Sequence, residues 1–447
     1  LVIPRDMRRV VWVIAGVSAL LLLSSSIVAL FARDDLLELA HGIAERNDGT
    51  ELADRLVSPE ALLDYVETHS AQLAIASWEW GREGEGLYLN AERPQPLAAA
   101  AQLLLLAAYA EQLASGEQRA EERVALATLQ PYALPDGDDA HQAALNEARA
   151  LGSLLPARGG DDAGELSPAA TLPLSAVVRA LVRHADPAAA DFLLARLGRA
   201  RITELAQRHG FGPEAVPLPQ AGLPQSWLIP AGAGAAPHVR STSTAWLRAE
   251  PAAELLARYH ALGPQGYADA AWKQLAQLRD DPAFSQRLRA QHSADGDALS
   301  LRERAQLAAA LPPRASARAC ARLLGRAAAS QLPGSESLLA QLDGLWPEHG
   351  SAAHPLLAQV GRLSGAVPGV ITSLTYARGR DGGTRLLALF MRDLPLAVWL
   401  RLSSSFVLQQ FELQLLSDEQ FLAFARQRLT RDTAQPSAAM RDMHTSR

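Results

Sequence analysis

The pattern of hydrophobic and polar positions divides the chain into one uncharged apolar segment, two strand-like stretches, a long helical region and three further strand-like stretches. The apolar segment, residues 10–32, has no charged side chain, so as a helix it is long enough to cross about 30 Å of hydrocarbon. Arg5, Arg8 and Arg9 precede it, which predicts an N-terminus on the cytoplasmic side and export of the remaining chain.

A cleaved signal peptide is the competing interpretation of this segment. Its apolar core exceeds the usual length of a signal-peptide core, and Leu30, Phe31 and Ala32 form a poor cleavage site. We therefore predict an uncleaved single-pass anchor in the cytoplasmic (inner) membrane, with a periplasmic or otherwise extracytoplasmic body.

The first elements of this body are predicted from a helix cap and from two strand-like stretches around a turn. Ser58 and Pro59 open a helix that runs to about residue 69. Residues 73–80 and 87–89 read as the two strands of a hairpin, with a turn at 81–86. Trp78 and Trp80 share one strand face, and we expect them in the core under the terminal helices.

A long helical region follows the hairpin. A buried helix is predicted over 96–113, and further helices are expected to begin at 167–168, 243–244 and Ser316. After these, residues 356–363, 370–377 and 385–392 read as strands between glycine-containing turns, and a helix follows over 396–416.

This order predicts an α+β fold with a five-stranded antiparallel sheet, terminal helices beside it and a large all-helical lobe. The predicted segments are a cytoplasmic N-terminus at 1–9, the transmembrane anchor at 10–32, a membrane-proximal helix and linker at 33–57, a folded domain at 58–420, and the end of a helix with a polar tail at 421–447. Within the domain, 58–95 and 356–420 form the sheet part and 96–355 the helical lobe.

Composition removes several classes of function. Basic residues are dispersed and the net charge is −6, which argues against nucleic-acid binding. Cys320 is the single cysteine, so no intramolecular disulfide and no thiol-rich metal site can form. The histidines lack the H-E-x-x-H spacing, and neither a nucleotide-binding loop nor a G-x-S-x-G elbow is present. We therefore expect no metal and no cofactor. Lys273 is the single lysine, and arginine cannot serve as a general base in its place.

Three stretches of sequence resemble the serine β-lactamase and penicillin-binding protein family. YLNAERPQPLAAAAQLLL at 88–105 is similar to the strand that leads into the nucleophile helix, and LVRHADPAAADFLL at 181–194 is similar to the region of the S-D-N motif. VGRLSGAVPGV at 360–370 is similar to the K-T-G strand. The resemblance covers roughly residues 59–420, and it implies a β-lactamase/transpeptidase-like fold.

The catalytic motifs of that family are degenerate here. By the resemblance, Ala99 stands at the serine and Gln102 at the lysine of S-x-x-K; Ala185, Asp186 and Pro187 stand at S-D-N; and Leu363, Ser364 and Gly365 stand at K-T-G. No S-x-x-K occurs anywhere in the chain, and the stretch 217–230, where the family's deacylating glutamate would lie, contains no acid. The resemblance therefore implies a pseudoenzyme without catalytic residues.

Asp186, Ser364 and Gly365 keep enough of the family's residue types to bind a ligand in a remnant cleft, although an ordinary structural role is the alternative for Asp186 and Ser364. His184 and Arg362 lie beside these motifs, and we expect both to be structural or exposed.

The sequence thus predicts a membrane-anchored, non-catalytic β-lactamase-like protein that binds or scaffolds an envelope protein or a peptidoglycan fragment. The alternative is a divergent serine hydrolase of the same family, acting on a β-lactam, an ester or a peptidoglycan-derived substrate, with Ser364 as its nucleophile.

Overall fold

The computed structural model describes residues 49–133, 138–155, 167–220, 251–295, 299–343 and 356–431. The strands are β1 Leu73–Glu79, β2 Leu87–Leu89, β3 Gln95–Pro96, β4 Arg123–Ala125, β5 Thr171–Pro173, β6 Arg314–Ala315, β7 Leu357–Val367, β8 Val370–Gly379 and β9 Thr384–Met391. The helices are α1 Thr50–Arg55, α2 Pro59–Thr68, α3 Gln102–Ser115, α4 Leu126–Leu129, α5 Asp138–Ala150, α6 Leu174–His184, α7 Pro187–Leu197, α8 Arg199–Arg208, α9 Pro251–Asp280, α10 Pro282–Asp295, α11 Leu301–Ala310, α12 Ala317–Ala328, α13 Ser335–Leu342, α14 Leu396–Ser404, α15 Val407–Ser417 and α16 Glu419–Arg431.

The predicted five-stranded antiparallel sheet is confirmed. Its strand order is β2-β1-β9-β8-β7, so the hairpin from the start of the domain pairs with the strands from its end. β1 lies beside β9, with Leu73 opposite Met391 and Glu79 opposite Arg385. The sheet therefore joins chain segments that lie more than 300 positions apart in sequence.

The two faces of the sheet carry separate cores. Leu73 and Ile75 of β1 pack with α2, α14, α15 and α16, the terminal helices. Ala74, Ala76 and Trp78 face the opposite side, against α12 and the helical lobe. Alternation along a strand places successive side chains on opposite faces, which is why one strand contributes to both cores.

This alternation corrects the predicted surroundings of the two tryptophans. Trp78 is buried as expected, but it and Trp80 belong to the core on the helical-lobe side and not to the core under the terminal helices. A Cβ at Gly325 of α12 would overlap the ring of Trp80, so the glycine allows this close packing. The prediction was wrong because the two-residue period identifies a shared face without identifying which layer covers it.

The lobe is mainly helical, but the prediction that it is all-helical was wrong. β3 pairs with β6 and β4 pairs with β5, forming two short antiparallel pairs between the helices. The helix expected at 167–168 is absent, because the chain there turns into β5 before α6 begins at Leu174. These extended segments satisfy their backbone hydrogen bonds with each other where no helix can do so.

Outside the sheet, two predicted helix starts are confirmed and one predicted helix is divided into two. Ser58 and Ser316 cap α2 and α12 as predicted, with each hydroxyl accepting from a backbone N–H three residues later. The single helix predicted over 396–416 is instead two helices, α14 and α15, which are separated at Ser405 and Phe406. The helix start predicted at 243–244 lies outside the described residues.

The predicted transmembrane anchor at 10–32 also lies outside the described residues. Among the helices that are described, none combines the length and the apolar character needed to cross a membrane. Lys273, the single lysine, is exposed on α9.

Candidate functional site

Ala99 lies in a tight turn that leads into α3. The segment Ala98–Ala101 forms a 3-10 turn directly before Gln102, and Ala98 adopts a left-handed backbone conformation with φ of 41°. The buried hydroxyl of Thr372 on β8 donates to the carbonyl of Leu97 at 2.9 Å. This hydrogen bond fixes the entry of α3 against the sheet.

The structure brings Ala99 and Gly365 together. A Cβ built on Gly365 of β7 would overlap the Cβ of Ala99 and would lie 3.1 Å from the Ala99 nitrogen. The backbone of β7 therefore approaches the turn as closely as a glycine permits. Two of the three motifs named from the sequence meet at this point.

The side chains at this contact are chemically inert. Ala99 presents a methyl group, and Gln102 and Leu363 are both buried. Neither a neutral amide nor an alkyl group can take a proton from a nucleophile at neutral pH. The contact can therefore pack two elements together, but it supplies no acid, base or nucleophile of its own.

Ser364 points to the other face of β7. Leu363 belongs to the helical-lobe core, whereas Val360 belongs to the core under the terminal helices. Alternation places Ser364 on the same face as Val360, opposite Ser373 of β8, and its side chain is exposed. Ser364 and Ala99 thus lie on different faces of the sheet.

Arg362 shares this second face, where it forms a buried ion pair. Its Nε and Nη2 donate to the two carboxylate oxygens of Glu412 on α15 at 2.8 and 3.0 Å, and Nε also donates to the Ser373 hydroxyl at 3.1 Å. The Glu412 side chain is 0% exposed. Because the guanidinium satisfies the carboxylate with two parallel hydrogen bonds, the pair is a structural link between β7 and α15.

Asp186 lies at the turn between α6 and α7. Its Oδ1 accepts from the Ala188 nitrogen at 2.9 Å as the N-cap of α7, and Pro187 occupies the first helical position. Its Oδ2 lies 2.8 Å from Nδ1 of His141 on α5, and both residues are buried. Ala185 holds the turn in a left-handed conformation with φ of 52°.

A second histidine–carboxylate pair joins the same turn to α5. His184 hydrogen-bonds to Glu147, and Arg183 donates to the other oxygen of that carboxylate at 3.1 Å. Burial alone would raise the pKa of Glu147, but the His184 hydrogen bond and the charge of Arg183 together lower it. His184 is therefore part of a structural link, in agreement with the role expected from the sequence.

His141, Glu147 and Glu412 are interacting residues that the sequence analysis did not identify. Each is separated from its partner by between 36 and 50 positions. Among the residues that the structure describes, no cluster of three or more histidine, cysteine or acidic side chains could hold a metal ion. Burial raises the pKa of the Cys320 thiol, which makes it unreactive.

No protein-family model matches the sequence, and no curated protein matches it. Solved structures similar to this chain include PBP-A, at 12% identity and a TM-score of 0.40, covering 78% of this chain and 96% of PBP-A. A β-lactamase from Sphaerobacter thermophilus DSM 20745 has 13% identity and a TM-score of 0.43, covering 79% and 95%. A β-lactamase from Desulfarculus baarsii DSM 2075 has 18% identity and a TM-score of 0.38, covering 80% and 97%. The similarity is a distant one in β-lactamase-like fold, and no residue role or activity follows from it.

Proposed function

We propose that the chain is a catalytically silent β-lactamase-like protein that is held at the cytoplasmic membrane by residues 10–32. Its extracytoplasmic body binds or scaffolds a component of the cell envelope, either another envelope protein or a peptidoglycan fragment. One observation carries the proposal: the residue at the family's nucleophile position, Ala99, packs its methyl group against the backbone of Gly365.

Acyl transfer by a serine enzyme requires two groups that act together. A serine must attack and a neighbouring base must take its proton, and removal of one member of such a unit costs nearly as much as removal of all. Ala99 has no lone pair to attack with, and neither Gln102 nor Leu363 has a basic group. The only lysine, Lys273, is exposed on α9, whereas Ala99 and Gly365 lie in the turn before α3 and on β7.

The second candidate is a divergent serine hydrolase that uses Ser364. The exposure of Ser364 favours it, since a nucleophile must reach its substrate. Against it stands the chemistry of that face, where the neighbouring Arg362 is paired with Glu412. Glu412 is already engaged by two hydrogen bonds and is buried. A carboxylate in that state is a poor general base.

Membrane attachment is proposed from the sequence of residues 10–32 and the arginines that precede them. Fractionation of cells that express the full chain should recover it with inner membranes after an alkaline salt wash. Deletion of 10–32 should release it into the soluble fraction. Recovery of the intact chain in the wash would contradict the anchor.

The silent-enzyme proposal is tested by labelling the purified full chain with a fluorescent penicillin. We expect no covalent label, while a penicillin-binding protein treated in parallel becomes labelled. Covalent labelling would overturn the proposal, and the Ser364→Ala variant would then decide between the two candidates. Loss of the label in that variant would assign Ser364 as the nucleophile.

A further inference from the structure

A cavity of about 230 Å³ lies between the end of β1, the start of β9 and the helices α15 and α16. Ser77, Trp78 and Leu415 are its buried lining residues. Ser77 shares a strand face with Leu73 and Ile75, which pack under the terminal helices. The cavity is therefore on the opposite face of the sheet from Ala99, and it is separate from the degenerate motifs.

Charged side chains of both signs surround the opening. Three of the lining residues are arginines and three are glutamates: Arg82, Arg385, Arg426, Glu79, Glu85 and Glu419. Their formal charges cancel. A ligand with both charges can bond to the arginines and to the glutamates at once and adds no net charge, whereas a ligand with a single charge leaves the cavity with one uncompensated charge.

Hydrogen bonds hold two of the arginines in place, but these bonds do not use all of their N–H donors. Arg385 donates to the carbonyl of Leu416 and to the carboxylate of Glu419, each at 3.0 Å. Arg426 donates to the carbonyl of Glu85 at 2.8 Å. A guanidinium has five N–H donors, so each of these two side chains has donors left for a ligand carboxylate.

The glutamates supply hydrogen-bond acceptors that complement these arginine donors. Arg82 donates to Glu85 at 2.6 Å and lies 3.6 Å from an oxygen of Glu79. At 3.6 Å the contact with Glu79 is a loose ion pair, so the Glu79 carboxylate can accept from an ammonium group. The buried Ser77 hydroxyl adds one donor and one acceptor deeper in the cavity.

We infer that this cavity binds a small zwitterion of the size of an amino acid or a dipeptide. The ligand's carboxylate is held by Arg385 and Arg426, its ammonium group by Glu79 and Glu85, and its polar middle portion lies near Ser77. This inference does not depend on the proposed function, since none of these residues belongs to the degenerate motifs.

The test is calorimetric titration of the purified full chain with L-alanyl-L-alanine as the probe. Two blocked compounds, N-acetyl-L-alanine and L-alanine amide, each carry only one of the two charges. We expect saturable binding of the dipeptide and binding of each blocked compound that is weaker by about tenfold or more, because each lacks one charge-assisted set of hydrogen bonds.

Two variants on the same helix provide the matched comparison. Arg426→Gln removes a cavity guanidinium, whereas Arg428→Gln removes one that pairs with Asp64 and Glu67 outside the cavity. We expect about tenfold weaker dipeptide binding for the first and unchanged binding for the second, with thermal unfolding confirming that both fold. Absence of saturable dipeptide binding, equal binding of a blocked compound, or equal effects of the two substitutions would each overturn the inference.

Discussion

The two faces of the β7–β8 pair differ sharply in chemistry although they are separated only by the thickness of one strand. On the face under the terminal helices, Arg362, Ser373 and Glu412 form a buried, hydrogen-bonded polar cluster. On the helical-lobe face, three residues further along β7, Gly365 packs tightly on Ala99. A buried charge and a close apolar contact thus lie within three positions of each other along β7, on opposite sides of the sheet.

The comparison shows that reactive residue types do not by themselves indicate a reactive site. The polar face has a guanidinium, a carboxylate and hydroxyl groups, but its hydrogen bonds are used to join β7 and β8 to α15. At the Ala99–Gly365 contact on the other face, the buried polar groups are the Thr372 hydroxyl, which donates to the Leu97 carbonyl, and the neutral amide of Gln102. The chemistry of this part of the chain therefore holds helix and sheet together.

Breaking the buried ion pair should produce the largest effect. Glu412→Ala leaves the charge of Arg362 buried without its carboxylate, so we expect a loss of about 3–5 kcal/mol in the free energy of unfolding. Urea unfolding followed by circular dichroism measures this loss. The double substitution Arg362→Met with Glu412→Leu removes both charges and should recover most of it. A loss of less than about 1 kcal/mol for Glu412→Ala, as for an exposed pair, would show that the cluster is not a structural link.

Disturbing the close contact between Gly365 and Ala99 on the other face should reduce the free energy of unfolding by less. Gly365→Ala places a methyl group on Ala99, and we expect a loss of about 1–3 kcal/mol from overpacking. Gly84→Ala is the matched control, because Gly84 has open space around its Cβ position and lies in the turn before β2. Similar unfolding midpoints for the two variants would mean that β7 and the Ala99 turn are not tightly packed.

Substitution of Asp186 should have the smallest of the three effects on the free energy of unfolding. Asp186→Ala removes the N-cap of α7 and the partner of His141, and we expect a loss of about 0.5–2 kcal/mol. Asp186→Asn retains an oxygen that can accept from the Ala188 nitrogen, so thermal unfolding should show it to be closer to the unmodified chain. If alanine and asparagine destabilise equally, the capping oxygen is not what matters at this position.

The sheet could be predicted from the sequence because its signals are local. Glycine-bounded apolar stretches predicted β7, β8 and β9 to within a few residues, and the hairpin of β1 and β2 followed from two strand-like stretches and the turn between them. The lobe's short strand pairs could not be predicted, because a two-residue or three-residue extended segment has no usable period. Their pairing depends on partners that are distant in sequence.

The interacting residues also differ in whether a local sequence pattern can predict them. Glu412 is detectable in principle: it lies with Leu408, Phe411 and Leu415 on one helical stripe, so a lone acid on that stripe indicates a buried partner. Alternation around the buried Leu363 likewise separates Ser364 from the face that contains Gly365. Which face meets Ala99, and that His141 reaches Asp186, depend on tertiary packing that no local pattern encodes.

The exposed position of the only lysine side chain has a practical consequence for the search for a binding partner. Amine-reactive cross-linkers and resins that couple through lysine will attach to the described part of the chain at α9 alone, and they will miss contacts made by the sheet or the terminal helices. Reagents directed at carboxyl groups or at arginine reach the remaining surface, and a single dye on Lys273 gives a defined reporter of motion in the helical lobe.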